Sequence, residues 1–225
     1  MTFTYKDLKR ENGKPEIIAT VIPELESNDQ LRRIESERKL IKFIPEIRWD
    51  LSGSKGRTEL KNYLRKIEGL SMNAIFTFRS SDKYISNLYY DIALEFPNIM
   101  IDLDLSQYDE GKIRGNEERV IISSHFSNEI EIFGLFNEIK NIGCRSIKLA
   151  THFTDGFFFE VVRAFSELGG NMSISIVPQG PDGSKKRIIS ALTVSDFVYS
   201  YFDKSVAEGQ ISYKEINNVL QMLRY

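Results

Sequence analysis

Two short apolar segments in the middle of the chain contain the residues best suited to chemistry. Val120–Phe126 (VIISSHF) places His125 near its end, and Ser146–Phe153 (SIKLATHF) places Lys148 between apolar neighbours. A lysine amine can form an imine with a carbonyl compound, and an imidazole can accept and return a proton near neutral pH. A lysine in such a run can instead direct its amine back to water. Because apolar residues flank it on both sides, we favour imine catalysis with proton transfer.

Length and charge limit the class of protein. The chain has 225 residues, with 30 basic and 32 acidic residues that are well mixed, so no basic surface for nucleic acid is expected. No stretch reaches the ~18 consecutive apolar residues of a membrane span, and the first residues lack the apolar core of a signal peptide. The single Cys144 excludes an internal disulfide. We therefore expect a cytoplasmic enzyme or small-molecule-binding protein, with no nucleic-acid or membrane partner.

Strand-like and helical patterns alternate along the whole chain. The eight predicted strands are Glu16–Pro23, Lys42–Leu51, Asn73–Arg79, Asn98–Leu105, Val120–Phe126, Ser146–Phe153, Met172–Pro178 and Phe197–Phe202. Strands that alternate with helices pair in parallel through right-handed crossovers, and eight such units predict a (β/α)8 TIM barrel. The connection after the fourth strand fits this pattern least well. An open, doubly wound sheet is the alternative, disfavoured because no glycine-rich phosphate loop follows the first strand.

The chain is expected to form one α/β domain over residues 1–225, because no proline- or serine-rich linker divides it. Residues 1–15 precede the first strand and contain Asn12 and Gly13, a pair typical of tight hairpin turns. We predict that this segment forms a two-stranded hairpin that covers the bottom of the barrel.

Polar residues collect where the predicted strands end, which is where a (β/α)8 barrel has its active site. They are Glu46, Arg48 and Asp50 from the second strand, Arg79 from the third, Asp102 and Asp104 from the fourth, His125 from the fifth, and Lys148 and His152 from the sixth. Charges that face a barrel interior are costly unless they pair or bind a polar ligand. Taken singly, Glu46 and Arg48 could form a structural ion pair, and Asp104 is better explained as a rim acid than as a catalytic group. Together, these residues indicate a binding site.

The order of these motifs resembles the type I 3-dehydroquinate dehydratases, which are Schiff-base enzymes of the shikimate pathway. The resemblance runs from about Pro15 to the C-terminus. It rests on EIRWD (Glu46–Asp50), FTFR (Phe76–Arg79), IDLDL (Ile101–Leu105), SSHF around His125, IKLA around Lys148, and the spacing from Arg187 to Gln210 in AEGQ. Each motif is short and is weak evidence alone, so the resemblance rests mainly on the shared order of the motifs along successive strands.

The resemblance implies a (β/α)8 barrel, commonly a homodimer, that needs no metal or organic cofactor. It implies a carbon–oxygen lyase that removes water from 3-dehydroquinate to give 3-dehydroshikimate. Lys148 would form the imine with the substrate ketone, and His125 would shuttle the protons. The further substrate-binding positions that it implies are Glu46, Arg48, Arg79, Thr20, Arg187, which would hold the substrate carboxylate, and Gln210 of a closing loop.

Three positions or segments depart from the family pattern. A glutamate usually lies four residues after the FTFR arginine and orients the histidine, but this chain has Lys83 there. The closing loop usually reads SAPGQ, whereas VAEGQ has Val206 in place of a substrate-binding serine and Glu208 in place of a proline. The loop after the seventh strand, PQGPDGSKK, is more charged than expected. Another group must then orient His125, and Glu46 is the predicted candidate.

Two other functions remain compatible with the sequence. An imine-forming aldolase of the transaldolase type would also use a strand-borne lysine, but no glycine-rich cradle for a substrate phosphate follows the last two strands. A catalytically impaired barrel that binds a small polyhydroxy acid is the second alternative. The departures at Lys83, Val206 and Glu208 motivate it.

Overall fold

The computed structural model describes residues 2–24, 29–53, 56–126, 131–168 and 172–223. Its eight strands are β1 (Glu16–Val21), β2 (Ile44–Arg48), β3 (Ala74–Thr77), β4 (Ile99–Asp104), β5 (Val120–Phe126), β6 (Ser146–Thr151), β7 (Ser173–Pro178) and β8 (Phe197–Tyr201). They form one sheet in the order β7-β6-β5-β4-β3-β2-β1-β8, and every hydrogen-bonded pair is parallel. This nearly sequential order is that of a (β/α)8 barrel. A doubly wound sheet would place its first strand in the interior and reverse direction there.

The helices are α1 (Asp29–Arg38), α2 (Arg57–Gly69), α3 (Lys83–Leu94), α4 (Glu110–Ile113), α5 (Ile132–Ile142), α6 (Asp155–Leu168), α7 (Gly183–Thr193) and α8 (Tyr213–Met222). Helix α2 shows why they form, since Leu60, Leu64 and Ile67 recur at helical spacing and all three are buried. The connection after β4 contains only the single turn α4 and short 3-10 turns, in line with its weak sequence pattern. Within the described part of the chain, no helix is both long and apolar enough to cross a membrane.

The barrel closes where β7 meets the start of β8. The Asp196 N–H donates to the Ile174 carbonyl at 2.7 Å, and the Asp196 carboxylate accepts the Ile174 N–H at 3.0 Å. The Ser195 hydroxyl oxygen accepts the next β7 donor, the Ile176 N–H, at 3.0 Å. Backbone donors at a sheet edge need partners, and side-chain oxygens supply them here. The eight strands therefore form the predicted, nearly closed barrel.

On five neighbouring strands, the inward-facing side chains change from apolar to polar within two residues. Ile18, Ile44, Ile75, Met100 and Ile121 form a buried apolar layer inside the barrel. Two residues further along each strand, on the same face, stand Thr20, Glu46, Thr77, Asp102 and Ser123, all buried. Strand alternation thus places a polar layer directly above an apolar floor.

The N-terminal segment completes that floor. Phe3 and Leu8 are fully buried in the inner apolar cluster. Phe3 precedes a short 3-10 helix at Tyr5–Leu8, and Leu8 is its last residue. The predicted Asn12–Gly13 turn is present, with positive φ at both residues. Strand pairing around it is limited to one bridge, because the residues before it coil to direct Phe3 and Leu8 into the barrel.

Removal of the Leu8 side chain should destabilise the barrel. Leu8→Ala leaves a cavity in the inner apolar layer, which typically lowers the free energy of unfolding by about 2–5 kcal/mol. Leu40→Ala is the matched control, because Leu40 is 79% exposed and its loss should change stability by no more than about 0.5 kcal/mol. Urea unfolding followed by circular dichroism measures both. Equal effects of the two substitutions would contradict a packed role for the N-terminal segment.

Candidate active site

A buried carboxylate, Asp102, lies at the centre of the polar layer. It accepts hydrogen bonds from Arg79 Nη2 at 2.7 Å, Lys148 Nζ at 2.7 Å and the Tyr199 hydroxyl at 3.3 Å. Burial alone raises the pKa of Asp102, yet the charges of Arg79 and Lys148 hold that pKa well below its usual range. Asp102 is therefore an ionised group that fixes the position of two cations.

The amine of Lys148 points into the barrel. It lies 3.7 Å from Glu46 Oε1 and 3.8 Å from the centre of the Tyr199 ring, in addition to its bond with Asp102. A cation over an aromatic face is attracted by the ring. Only 8% of the Lys148 side chain is exposed, so the amine does not extend to solvent. Tyr199 was not predicted from the sequence, although strand alternation places it on the same inner face of β8 as Phe197.

Glu46 is fixed by hydroxyl groups on the strands beside it. Its Oε2 accepts from Thr20 at 2.6 Å, and its Oε1 accepts from Thr77 at 2.8 Å. Thr20 in turn accepts a hydrogen bond from Gln210 Nε2 at 3.0 Å. These bonds hold the Glu46 carboxylate beside Lys148. The prediction that Glu46 orients His125 is wrong, because a different carboxylate contacts the imidazole.

That carboxylate is Asp104, whose Oδ2 lies 2.7 Å from His125 Nδ1. The other oxygen of Asp104 accepts from the Ser106 N–H at 3.0 Å and the Ser106 hydroxyl at 2.6 Å. Burial raises the pKa of Asp104, but the bonds from His125 and Ser106 lower it to about 2. Lys83, at the position of the family glutamate, donates instead to the Tyr108 carbonyl at 2.6 Å. The sequence signal for Asp104 was its spacing of two from Asp102, which puts both carboxylates on one face of β4.

Arg79 connects Asp102, the partner of Lys148, with Asp104, the partner of His125. Its Nη2 bonds to Asp102 and to the Ser123 hydroxyl at 3.0 Å, and its Nη1 lies 3.6 Å from Asp104 Oδ2. Burial lowers the pKa of Arg79, but the neighbouring carboxylates raise it above its ordinary value. Lys148 and His125 therefore belong to one continuous ionic network at the same end of the barrel. A cavity of about 430 Å³ opens beside His125, Arg79 and Asp104.

A comparison with known protein families shows to which family the chain belongs. The family model described as type I 3-dehydroquinase matches residues 18–225, nearly the whole chain. The chain belongs to the type I 3-dehydroquinase family.

Individual proteins of known name are also similar to this chain. A 3-dehydroquinate dehydratase of Thermoplasma volcanium is 25% identical over 217 residues, which is 95% of this chain and 92% of that protein. The type I 3-dehydroquinate dehydratase from Clostridium difficile, solved with covalently modified comenic acid, superposes with a TM-score of 0.79 at 20% identity, over 99% of this chain and 97% of that one. The 3-dehydroquinate dehydratase from Geobacillus kaustophilus gives 0.75 at 19% identity, over 100% and 96%. The two solved structures establish a shared fold.

The arginines implied by the type I 3-dehydroquinase resemblance have different surroundings. Arg48 forms a two-pronged ion pair with Asp50, at 3.0 and 2.6 Å, and not with Glu46. The reason is the 3-10 turn at Trp49–Leu51, which folds Asp50 back over the strand end. Arg187 is buried on α7 and donates through Nε and Nη1 to two backbone carbonyls, at 2.8 and 2.9 Å. Burial lowers the pKa of Arg187 to about 10.

The loop after β8, which contains Gln210, is fixed by hydrogen bonds and by close backbone packing. Gln210 Nε2 donates to the Ser200 carbonyl at 2.7 Å, and its Oε1 accepts the Val206 N–H at 2.9 Å. Gly209 has a φ of 74°, and a Cβ there would lie 2.8 Å from both the Gly180 oxygen and Gly183 Cα. Only glycine fits such a backbone conformation and approach. The loop after β8 therefore packs directly on the loop after β7.

The low pKa values of Asp102 and Asp104 predict a loss of stability in acid. Both pKa values lie below those of an unfolded chain, so these carboxylates stabilise the fold above about pH 4. The stabilisation is lost as the pH falls from about 4 towards 2, by about 1.4 kcal/mol per pH unit for each group. Asp104→Asn removes one of these two titrating groups. It should therefore reduce the slope of the unfolding free energy against pH by about 1.4 kcal/mol per pH unit in this range. Urea unfolding at a series of pH values tests this, and an unchanged slope in the variant would contradict it.

Proposed function

We propose that this protein is a 3-dehydroquinate dehydratase that removes water from 3-dehydroquinate through an imine on Lys148. The observation that supports it most is the buried Lys148 amine, held 2.7 Å from Asp102 within the same ionic network as His125. Membership of the type I 3-dehydroquinase family supports the choice of substrate. The covalently modified comenic acid in the Clostridium difficile relative supports a covalent step.

Asp102 suits both the ammonium form of Lys148 and the protonated imine. In the proposed first step the amine attacks the substrate ketone, water leaves, and a protonated imine forms. This iminium carries the same positive charge, at the same place, as the resting ammonium group. Asp102 and the face of Tyr199, which contact the ammonium, can therefore stabilise the iminium without rearrangement. The iminium draws electrons more strongly than a ketone and acidifies the adjacent carbon.

His125 is proposed to move the protons. With Nδ1 held by Asp104, the lone pair on Nε2 is the base that accepts the proton from the carbon next to the iminium. The electron pair left on carbon then expels the hydroxyl group, and His125 returns its proton to that group as water forms. Because one base removes the carbon-bound proton and then protonates the hydroxyl group, the proton and the hydroxyl must leave from the same face of the substrate. The reaction is therefore a syn elimination. Hydrolysis of the conjugated imine releases 3-dehydroshikimate and restores Lys148.

The remaining polar groups are proposed to bind the substrate. Arg187 would hold the carboxylate, because a guanidinium offers planar, paired donors that a lysine does not. Gln210 lies close to Thr20 and closes the site from the β8 side. Arg48, Arg79 and Glu46 would contact the substrate hydroxyl groups. By the same family resemblance, we place the reaction in the shikimate pathway, with the enzyme a cytoplasmic homodimer that needs no cofactor.

The departures from the family pattern favour one alternative, a barrel that binds a polyhydroxy acid without turning it over. By the family resemblance, Lys83 replaces the glutamate that orients the histidine, Val206 replaces a substrate-binding serine, and Glu208 replaces a proline of the closing loop. A continuous absorbance assay with 3-dehydroquinate distinguishes the two functions, because the product is a conjugated enone that absorbs in the ultraviolet. Binding measured by calorimetry, without any rise in absorbance, would support the alternative and reject the dehydratase.

Borohydride reduction in the presence of 3-dehydroquinate should attach the substrate to Lys148. Intact-mass analysis and peptide mapping are expected to locate one adduct there, and Lys148→Ala should abolish both the adduct and turnover. The variant should remain folded, because Asp102 keeps Arg79 as its partner. Lys185→Ala, at an exposed lysine, is the matched control and should retain the adduct. Binding of substrate with no adduct on the wild-type protein would show that the imine step is wrong.

His125→Ala should slow turnover while the imine still forms. Loss of a general acid–base group typically lowers kcat by roughly 10²–10⁴-fold, whereas attack by the Lys148 amine does not require it. His152→Ala is the control, because His152 is the other histidine of the chain and is exposed. Steady-state assays and borohydride trapping give the two readouts. Turnover of His125→Ala at the wild-type rate would refute the proton-transfer role.

A further inference from the structure

The histidine of this site has a carboxylate partner other than the one that the family resemblance implies. The position where family members usually have an orienting glutamate is Lys83, at the start of α3. Its amine is bound to the Tyr108 carbonyl at 2.6 Å. A cation there cannot accept a hydrogen bond from an imidazole N–H. The carboxylate beside His125 comes instead from the end of β4.

Asp104 is itself held in one orientation. It ends β4 and caps the 3-10 turn at Leu105–Gln107, where its Oδ1 accepts two hydrogen bonds from Ser106. Oδ2 is thereby directed to His125, at 2.7 Å. The strand register supports this contact, because Asp104 lies opposite Ser123 and His125 follows two residues later on the same face of β5. A side chain fixed by its own neighbours can fix the next one.

We propose that Asp104 is the positioning residue for His125, and that it does the work of the glutamate replaced by Lys83. A carboxylate at Nδ1 keeps the proton on that nitrogen, so the lone pair stays on Nε2, where the base is needed. Asp104 also stabilises the imidazolium that forms when Nε2 accepts a proton. The catalytic part of this inference rests on the proposed function, whereas the effect of Asp104 on the imidazole does not.

A purely structural role for Asp104 makes different predictions. The same Oδ2 lies 3.6 Å from Arg79 Nη1, so the carboxylate could serve only to balance that charge and to cap the turn with Ser106. Its removal would then lower stability without changing which nitrogen of His125 holds the proton. Two measurements separate the two roles. One is the tautomer of His125, and the other is whether loss of the Asp104 carboxylate changes kcat or KM.

The tautomer can be measured directly because the chain has only two histidines, His125 and His152. In a His152→Gln background, the imidazole nitrogen signals of ¹⁵N-labelled protein belong to His125 alone. At a pH where the ring is neutral, we expect Nδ1–H in the background protein and a shift towards Nε2–H after Asp104→Ala. The same tautomer in both proteins would overturn the inference. This measurement needs no substrate, so it stands even if the dehydratase proposal fails.

Kinetics with 3-dehydroquinate test the catalytic consequence. Asp104→Ala should lower kcat by roughly 10²-fold, the size expected for a misplaced catalytic group, while KM changes little and borohydride still traps the Lys148 adduct. Asp104→Glu, which keeps a carboxylate, should recover part of kcat, and Lys83→Ala should match the wild type. A folded Asp104→Ala protein with wild-type kcat would overturn the proposal, as would one that loses the adduct.

A second variant covers the case in which Asp104→Ala does not fold. Asp104→Asn preserves the shape of the side chain and an oxygen for Ser106, but it cannot stabilise the imidazolium by charge. We expect its kcat to lie below that of the wild type with KM little changed, and an unaltered kcat would overturn the proposal. If the wild-type protein neither releases water from 3-dehydroquinate nor forms an adduct, it is the proposed function that fails, and the tautomer measurement still decides the position of the proton.

Discussion

The site depends on one ionised carboxylate, Asp102, which two cations share inside the barrel. A lysine amine buried alone would be unstable, because taking a charge out of water is costly unless another charge and hydrogen bonds compensate. Arg79 keeps Asp102 paired whatever happens at Lys148, since a guanidinium does not lose its proton. Under the proposed mechanism, the counter-ion for the cationic imine is therefore in place before any ketone arrives. This is preorganised electrostatic stabilisation, in which the cost of burying the charges is met when the protein folds.

The barrel places buried apolar side chains directly beneath that ionic network. On five neighbouring strands, the side chain two positions before each polar group is a large aliphatic residue, so the polar layer rests on an apolar floor. Phe3 and Leu8 fill the centre of that floor from the N-terminal segment. The cavity beside His125, Arg79 and Asp104 lies at the opposite side, at the carboxyl ends of the strands. Asp104 and His125 lie two residues further along their strands than Asp102 and Ser123, and so nearer to that end.

The sequence alone was sufficient for the strands and for the placement of Lys148 and His125, because period-two alternation in eight apolar runs determines which side chains face inward. Contacts between neighbouring strands were harder to predict. The partner of His125 depends on the stagger of β4 against β5, and the partner of Arg48 depends on a turn that brings Asp50 back to the same strand end. Neither stagger nor turn geometry appears in the pattern of residues. Residues 1–15 illustrate the same limit, since the turn at Asn12 was predictable but the coil that buries Phe3 and Leu8 was not.

The closing loop shows that a changed residue need not change the position of its neighbour. Val206 replaces the usual serine, yet the bond that fixes Gln210 comes from the Val206 backbone N–H, which every residue except proline provides. The second bond of Gln210, to the Ser200 carbonyl, is also a backbone contact. Gly209, whose place against Gly183 leaves no room for a side chain, is the same residue in VAEGQ as in SAPGQ. The position of Gln210 therefore depends on backbone contacts, on the glycine of the loop and on the Thr20 hydroxyl. The substitutions at Val206 and Glu208 change only side chains that these bonds do not use.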